Sequence, residues 1–205
     1  SVPLITASIL AKKIAAGLEF LVMDIKLGNG AFMESPERAR ELANSIIATA
    51  ANANLKTHAL ITDMNEVLGT TVGLRNDVRE PRLDDVVMSL CAEMVFVSGI
   101  EPDREKARAR CEEAVSSGKA AEVFARMTAA LGGPSDFVDN YDTHLATAPV
   151  TRAVYTEGVL TAVNTRAVGN AIIELGGGRK KVGEQLDFAV GFSDFASIGS
   201  RLDKD

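Results

Sequence analysis

The chain has 205 residues, 46% hydrophobic, 24% charged and 5% aromatic with no Trp, a mixture that excludes a disordered, collagen-like or coiled-coil chain and fits one large domain or one plus a smaller companion. Twenty-two Lys and Arg against 28 Asp and Glu give a net charge of −6, so the overall field opposes a nucleic-acid partner and none is expected. Cys91 and Cys111 are too few for a disulfide scaffold or a four-cysteine metal site, and no apolar run reaches the roughly 18 to 20 residues that cross a bilayer, so no membrane partner is expected and the cytoplasm is the expected compartment.

In chain order, the pattern predicts a helix over 3–18, then a strand over 20–27 built on Phe20-Leu21-Val22-Met23 and ending at Gly28-Asn29-Gly30. Ser35 as N-cap, Pro36 at the first helical position and Glu37 in the first turn announce a helix to about Ala53. A second short apolar run, His58-Ala59-Leu60-Ile61-Thr62, ends at the polar Asp63-Met64-Asn65, as a buried parallel strand does. Three helical stretches follow, 83–97, 103–117 and 120–131, expected to cover the sheet. Beyond Pro149 the texture changes to strand-like pieces at 151–155, 158–163 and 188–190 around a helix over 165–175 and the run Gly176-Gly177-Gly178. The fold class read from this is α/β, a mainly parallel mixed sheet flanked by helices, followed by a small, truncated α+β module; the expected domains are 1–148 and 149–205. The start at Ser1, directly in a helical run, and the end at Asp205 both read as cuts within a longer protein.

The short motifs for dinucleotide, P-loop, zinc-protease and dithiol chemistry are absent. Only His58 and His144 are available for a histidine role, and ordinary structural roles are expected for both. The first helix is more informative. At 100° per residue Ala7, Leu10, Ala11, Ile14 and Leu18 share one face, expected to pack on the sheet, and Ile5, Ser8, Ile9 and Lys12 share the opposite one. On that second stripe a hydroxyl and an ammonium group four residues apart stand between two isoleucines. Such a stripe can hold a polar planar ligand, with the isoleucines flanking a ring, Ser8 hydrogen-bonding its edge and Lys12 favouring negative charge on a ring oxygen. It equally fits a partly exposed helix face with Lys12 in water. The turn Leu27-Gly28-Asn29-Gly30-Ala31-Phe32 lies at a strand's carboxyl end, where open α/β sheets bind ligands, and fits a plain strand-to-helix turn as well. For Gly176 to Gly178 and the basic residues after them, a helix C-cap with solvated charges is expected rather than an anion site.

Several segments, in order, resemble the thymidine and pyrimidine-nucleoside phosphorylases of the bacterial type. They are Pro3-Leu4-Ile5-Thr6-Ala7-Ser8-Ile9-Leu10-Ala11-Lys12-Lys13, Val22-Met23-Asp24-Ile25-Lys26 with Gly28-Asn29-Gly30-Ala31-Phe32-Met33, and Leu60-Ile61-Thr62-Asp63-Met64-Asn65. Gly118-Lys119-Ala120-Ala121-Glu122-Val123-Phe124, Asn164-Thr165-Arg166-Ala167, Gly176-Gly177-Gly178-Arg179 and Asp187-Phe188-Ala189-Val190-Gly191-Phe192 extend the resemblance over almost the whole chain. It implies a pentosyltransferase that cleaves thymidine with inorganic phosphate to thymine and 2-deoxy-α-D-ribose 1-phosphate. It implies further that Ser8 and Lys12 grip the polar edge of the pyrimidine, that Ile5, Ile9 and Phe32 line its apolar surroundings, and that Lys12 acts catalytically on the departing base. A homodimer is implied, with phosphate as co-substrate and no cofactor.

Two departures matter. The family's phosphate-binding elements and the base-contacting arginine would precede Ser1, so these residues are expected to hold half an active site and to be inactive alone. After Gly73 the family usually continues into a further helical segment with an Asn and a Glu, whereas here Leu74-Arg75-Asn76 follows directly. In some relatives that segment helps bind a monovalent cation, with backbone carbonyls at the positions of Leu68 and Thr71; no metal is expected here.

Overall fold

The computed structural model describes residues 1–73, without the side chains of 72 and 73, and 80–204. The junction after Gly73 therefore lies outside the described residues from 74 onward. The chain divides into two compact units: Ser1–Met64 with Asp85–Glu112, and Asn65–Asp84 with Glu113–Asp205.

The first unit is built from α1 (Val2–Ala15), β1 (Phe20–Leu27), α2 (Pro36–Asn52) and β2 (Lys56–Asp63), followed by most of α3 (Pro81–Val97) and of α4 (Arg104–Ser116). Strands β1 and β2 pair in parallel from Phe20↔Lys56 to Leu27↔Asp63, with α2 as the crossover between them. The start of α2 obeys its sequence signals: Ser35 accepts a hydrogen bond from the Arg38 N–H at 3.3 Å and Pro36 follows. Its buried line, Ala39, Leu42, Ala43, Ile46 and Ala50, repeats at helical spacing and packs on both strands. The alanines on this line let α1 approach, and the buried Thr6 hydroxyl is satisfied by Ser45 Oγ at 2.9 Å. Val2 and Leu10 of α1, Leu21 and Ile25 of β1, Met33 and Leu55 complete the core.

The second unit contains β3 (Val72–Gly73), α5 (Lys119–Ala130), α6 (Phe137–His144), β4 (Gly158–Val159), α7 (Thr165–Ile172), which continues as a π-helical turn to Gly177, β5 (Gly191–Phe192) and β6 (Arg201–Leu202). β3 pairs antiparallel with β5, and β4 with β6. Phe195 N–H donates to the Thr70 carbonyl at 2.7 Å and Ile198 N–H to Glu66 at 2.7 Å, so the segment after Met64 is fastened to residues far along the chain.

The structure is α/β, with a small parallel sheet and small antiparallel pairs, and it corrects several local expectations. Thr151 to Tyr155 forms no strand, the stretch 158–163 contributes only β4, and the strand expected at 188–190 is instead the two-residue β5. β-branched and aromatic residues favour strands only where a neighbouring strand accepts their hydrogen bonds, and Thr151 to Tyr155 are exposed. Of the three middle helices expected to cover the sheet, α5 has no buried residue.

Candidate functional site

Helix α1 does not present the faces expected of it. Its buried line is Val2, Thr6 and Leu10, while Ala7, Ala11, Ile14 and Leu18 are exposed. The reason lies in what burial gains: the alanines have little apolar surface to remove from water, whereas Val2 and Leu10 fill the space beside α2 and Thr6 finds Ser45. The stripe of Ile5, Ser8, Ile9 and Lys12 thus borders the buried line instead of opposing it. Ile5 and Ile9 are half-buried and pack against the core cluster; Ser8 and Lys12 are exposed. The helix therefore holds the Ser8 hydroxyl and the Lys12 ammonium, one turn apart, on a rim whose base is fixed by two isoleucines.

Phe32 lies on the loop between β1 and α2, and its setting is unusual. It is 97% exposed, while Ala31 and Met33 on either side are 5% and 6% exposed. Met33 forms a parallel bridge with Leu27, and Gly28 N–H donates to the Met33 carbonyl at 3.0 Å. Gly30 N–H reaches the Met64 carbonyl at 3.1 Å, and Met64 N–H the Leu27 carbonyl at 2.6 Å. Gly28 has φ 134°, a conformation that L side chains rarely adopt, which is why the chain can double back here. Two buried neighbours and three backbone hydrogen bonds thus hold an aromatic ring out in solvent at the carboxyl edge of the parallel sheet. The structure joins Ile5, Ser8, Ile9 and Lys12 on one helix, and leaves Phe32 on a separate loop with almost no covering contact.

On the sheet face opposite the core, two polar clusters escaped sequence reading. Lys26 Nζ lies 2.7 Å from Asp24 Oδ2 and donates to Thr62 Oγ1 at 2.9 Å, and the Thr62 hydroxyl donates to Asp24 Oδ1. The i, i+2 spacing of Asp24 and Lys26 in an otherwise apolar strand was the available signal. Nearer the amino ends of the strands, His58 Nδ1 pairs with Glu93 of α3, which also takes two hydrogen bonds from Arg104 at 3.0 Å, and the Arg104 guanidinium lies 3.9 Å from the centre of the Phe96 ring. His144 pairs with Asp136 at 2.9 Å. Both histidines thus hydrogen-bond to carboxylates.

The Arg104 guanidinium, ahead of the opposing effect of burial and with help from His58, holds the Glu93 carboxyl below its ordinary range. A depressed folded-state value stabilises the protein above the ordinary carboxylate range and loses that contribution as pH falls through the depressed value. In Glu93→Gln the unfolding free energy is expected to drop by about 1 to 3 kcal/mol near neutrality, with the gap to the parent chain closing on acidification below about pH 5. Urea titrations across pH check this, and parallel curves would remove the role of the Glu93 charge.

At the other end of the chain Gly176, with φ 103°, terminates the helical run, as a glycine C-cap does. The Glu184 carboxylate accepts from the Lys180 and Lys181 N–H groups at 2.7 and 3.2 Å, and Lys180 Nζ pairs with Glu174 at 2.7 Å. The Lys180 and Lys181 N–H groups and the Lys180 charge are thus occupied from within.

This C-terminal region is also where similarity to a known family is found. Residues 159–205 match the family model of the pyrimidine nucleoside phosphorylase C-terminal domain. The match supports the pyrimidine nucleoside phosphorylase family. It includes α7, the glycine run, β5 and β6, and does not include the helix that carries Ser8 and Lys12. Pyrimidine nucleoside phosphorylases are pentosyltransferases of pyrimidine metabolism, with a nucleoside and phosphate as substrates. Among the described residues no helix is long and apolar enough to cross a membrane.

Proposed function

We propose that this chain is the base-binding part of a thymidine phosphorylase, acting in the cytoplasm as a homodimer on thymidine and inorganic phosphate without a cofactor. The observation that carries the reading is the match of 159–205 to the pyrimidine nucleoside phosphorylase C-terminal domain. The exposed Ser8 and Lys12 beside half-buried isoleucines, and an aromatic ring held out in solvent, supply the side-chain types that such a base requires.

Ser8 exchanges a hydrogen bond with the edge of the pyrimidine, Ile5, Ile9 and Phe32 line its faces and rim, and Lys12 approaches a ring carbonyl. As the N-glycosidic bond breaks, the anomeric carbon gains oxocarbenium character, phosphate enters from the opposite face, and the bonding pair leaves with the base. Negative charge then spreads over the carbonyl oxygens of the leaving group. Lys12 meets that charge where it develops and so favours the transition state over bound substrate. The small module over 149–205 accompanies the base-binding domain over 1–148.

Calorimetric titration of the chain with thymine and thymidine tests the base site; binding that disappears in Ser8→Ala supports it, and no binding removes it. With phosphate and thymidine the 205 residues alone are expected to release no thymine, since the family's phosphate-binding elements lie outside them. Release would overturn that half of the proposal. A broader pyrimidine-nucleoside phosphorylase is the second reading, favoured by the breadth of the matching family. Comparable turnover of uridine, deoxyuridine and thymidine, measured with the phosphate-binding elements present, would establish it. Base binding without turnover under those conditions would leave a non-catalytic pyrimidine-binding module.

A further inference from the structure

We propose that Asp24, Lys26 and Thr62 form a lock that positions the loop carrying Phe32 and so tunes the apolar wall of the base site. The proposal rests on the reading of Phe32 as part of that wall. Lys26 and Thr62 are register partners on adjacent parallel strands, so their side chains leave the same face of the sheet side by side. The ring they close with Asp24 uses its donors without conflict: the ammonium donates to the carboxylate and to the Thr62 oxygen, and the Thr62 hydrogen goes to the other carboxylate oxygen. The Lys26 and Asp24 side chains are only 30% and 24% exposed, a setting in which an ion pair is held more firmly than on an open surface.

Its place in the fold gives the ring its consequence. Lys26 and Thr62 directly precede Leu27 and Asp63, the last residues of β1 and β2. The next backbone contacts beyond them are those that fold the loop: Met64 N–H to the Leu27 carbonyl, Gly28 N–H to the Met33 carbonyl, and Gly30 N–H to the Met64 carbonyl. A two-stranded sheet frays readily at its ends, and the side-chain ring cross-links the two strands immediately before the loop leaves them. Phe32, 97% exposed, has almost no packing of its own, so its position is inherited from this edge. Lys26 and its two partners are positioning residues; they act on a base through Phe32.

The chain has no Trp, so Phe32→Trp places a single indole reporter at the loop apex. In that background Lys26→Met is expected to lower the steady-state fluorescence anisotropy of the indole, while the urea midpoint of the whole chain moves little. Thr62→Val, which keeps the branched shape of the side chain, is expected to move anisotropy the same way by less, and it carries the test should the Lys26 variant not fold. In the parent background Lys26→Met is expected to weaken thymine binding about tenfold, the factor that about 1.4 kcal/mol represents. In Phe32→Ala the same substitution is expected to add almost nothing, because the group through which it acts is gone. Unchanged anisotropy, or losses from Lys26→Met and Phe32→Ala that simply add, would overturn the lock. If the parent chain binds no thymine, the base-site reading falls, and the anisotropy comparison still decides whether the ring holds the loop.

Discussion

Ile46→Ala is expected to lower the unfolding free energy of the chain by about 3 to 4 kcal/mol, within the range of about 2 to 5 found for buried Ile or Leu truncations. Ile46 is 0% exposed and sits on the buried line of α2, the helix that packs on α1 and on both strands of the parallel sheet. Removing its branched end deletes apolar contact and leaves a space that the rest of the core cluster fills only by shifting. Ile47, one position on and so about 100° around the helix, is 37% exposed, and Ile47→Ala is expected to cost less than about 1 kcal/mol. The measurement is urea unfolding followed by circular dichroism, with amide exchange of α2 as a local readout. Equal losses from the two variants would mean that α2 does not pack as described.

Lys12→Ala is expected to separate function from stability. Lys12 is exposed, and no hydrogen bond or ion pair holds its ammonium among the described residues, so its loss is expected to change the unfolding free energy by less than about 0.5 kcal/mol. With the family's phosphate-binding elements present, kcat/KM for thymidine phosphorolysis is expected to fall at least about tenfold, with more of the loss in kcat than in KM, because the charge that Lys12 meets forms as the bond breaks. Lys13→Ala is the control: its side chain projects about 100° away and is expected to leave turnover unchanged. A Lys12→Ala rate within about twofold of the parent would remove the leaving-group role, since even about 1.4 kcal/mol is a tenfold effect.

Much of this could be read along the chain because it depends on neighbours in sequence. The start of α2 follows from Ser35, Pro36 and Glu37, the run from Phe20 to Leu27 is β1 over the predicted span, and the glycines after Leu27 and at Gly176 mark real reversals. The two strands and the helix between them also made a parallel pairing legible, since a crossover of that length joins parallel neighbours. The candidate base-binding residues were named from a helical stripe and a resemblance, both carried by sequence.

What the sequence left open is what depends on partners far away. Which face of α1 turns inward depended on partners such as Ser45, and of the face that periodicity favoured only Leu10 is buried, while Ala7, Ala11, Ile14 and Leu18 are in water. The stretch from Thr151 to Tyr155 has strand-forming residues but no strand to pair with, while Gly191 and Phe192 became β5 because Val72 and Gly73 lie beside them. His58, Glu93 and Arg104 span 46 positions, and Lys26 meets Thr62 36 positions on; no local pattern brings such groups together. By itself the sequence determined most of the helices and the parallel strand pair, though not α6, because propensity, capping and periodicity act over a few residues. Only the tertiary structure decided which face of a helix is buried, which strands persist and how an exposed phenylalanine is held, because burial and strand pairing are settled by whichever residues the fold brings alongside.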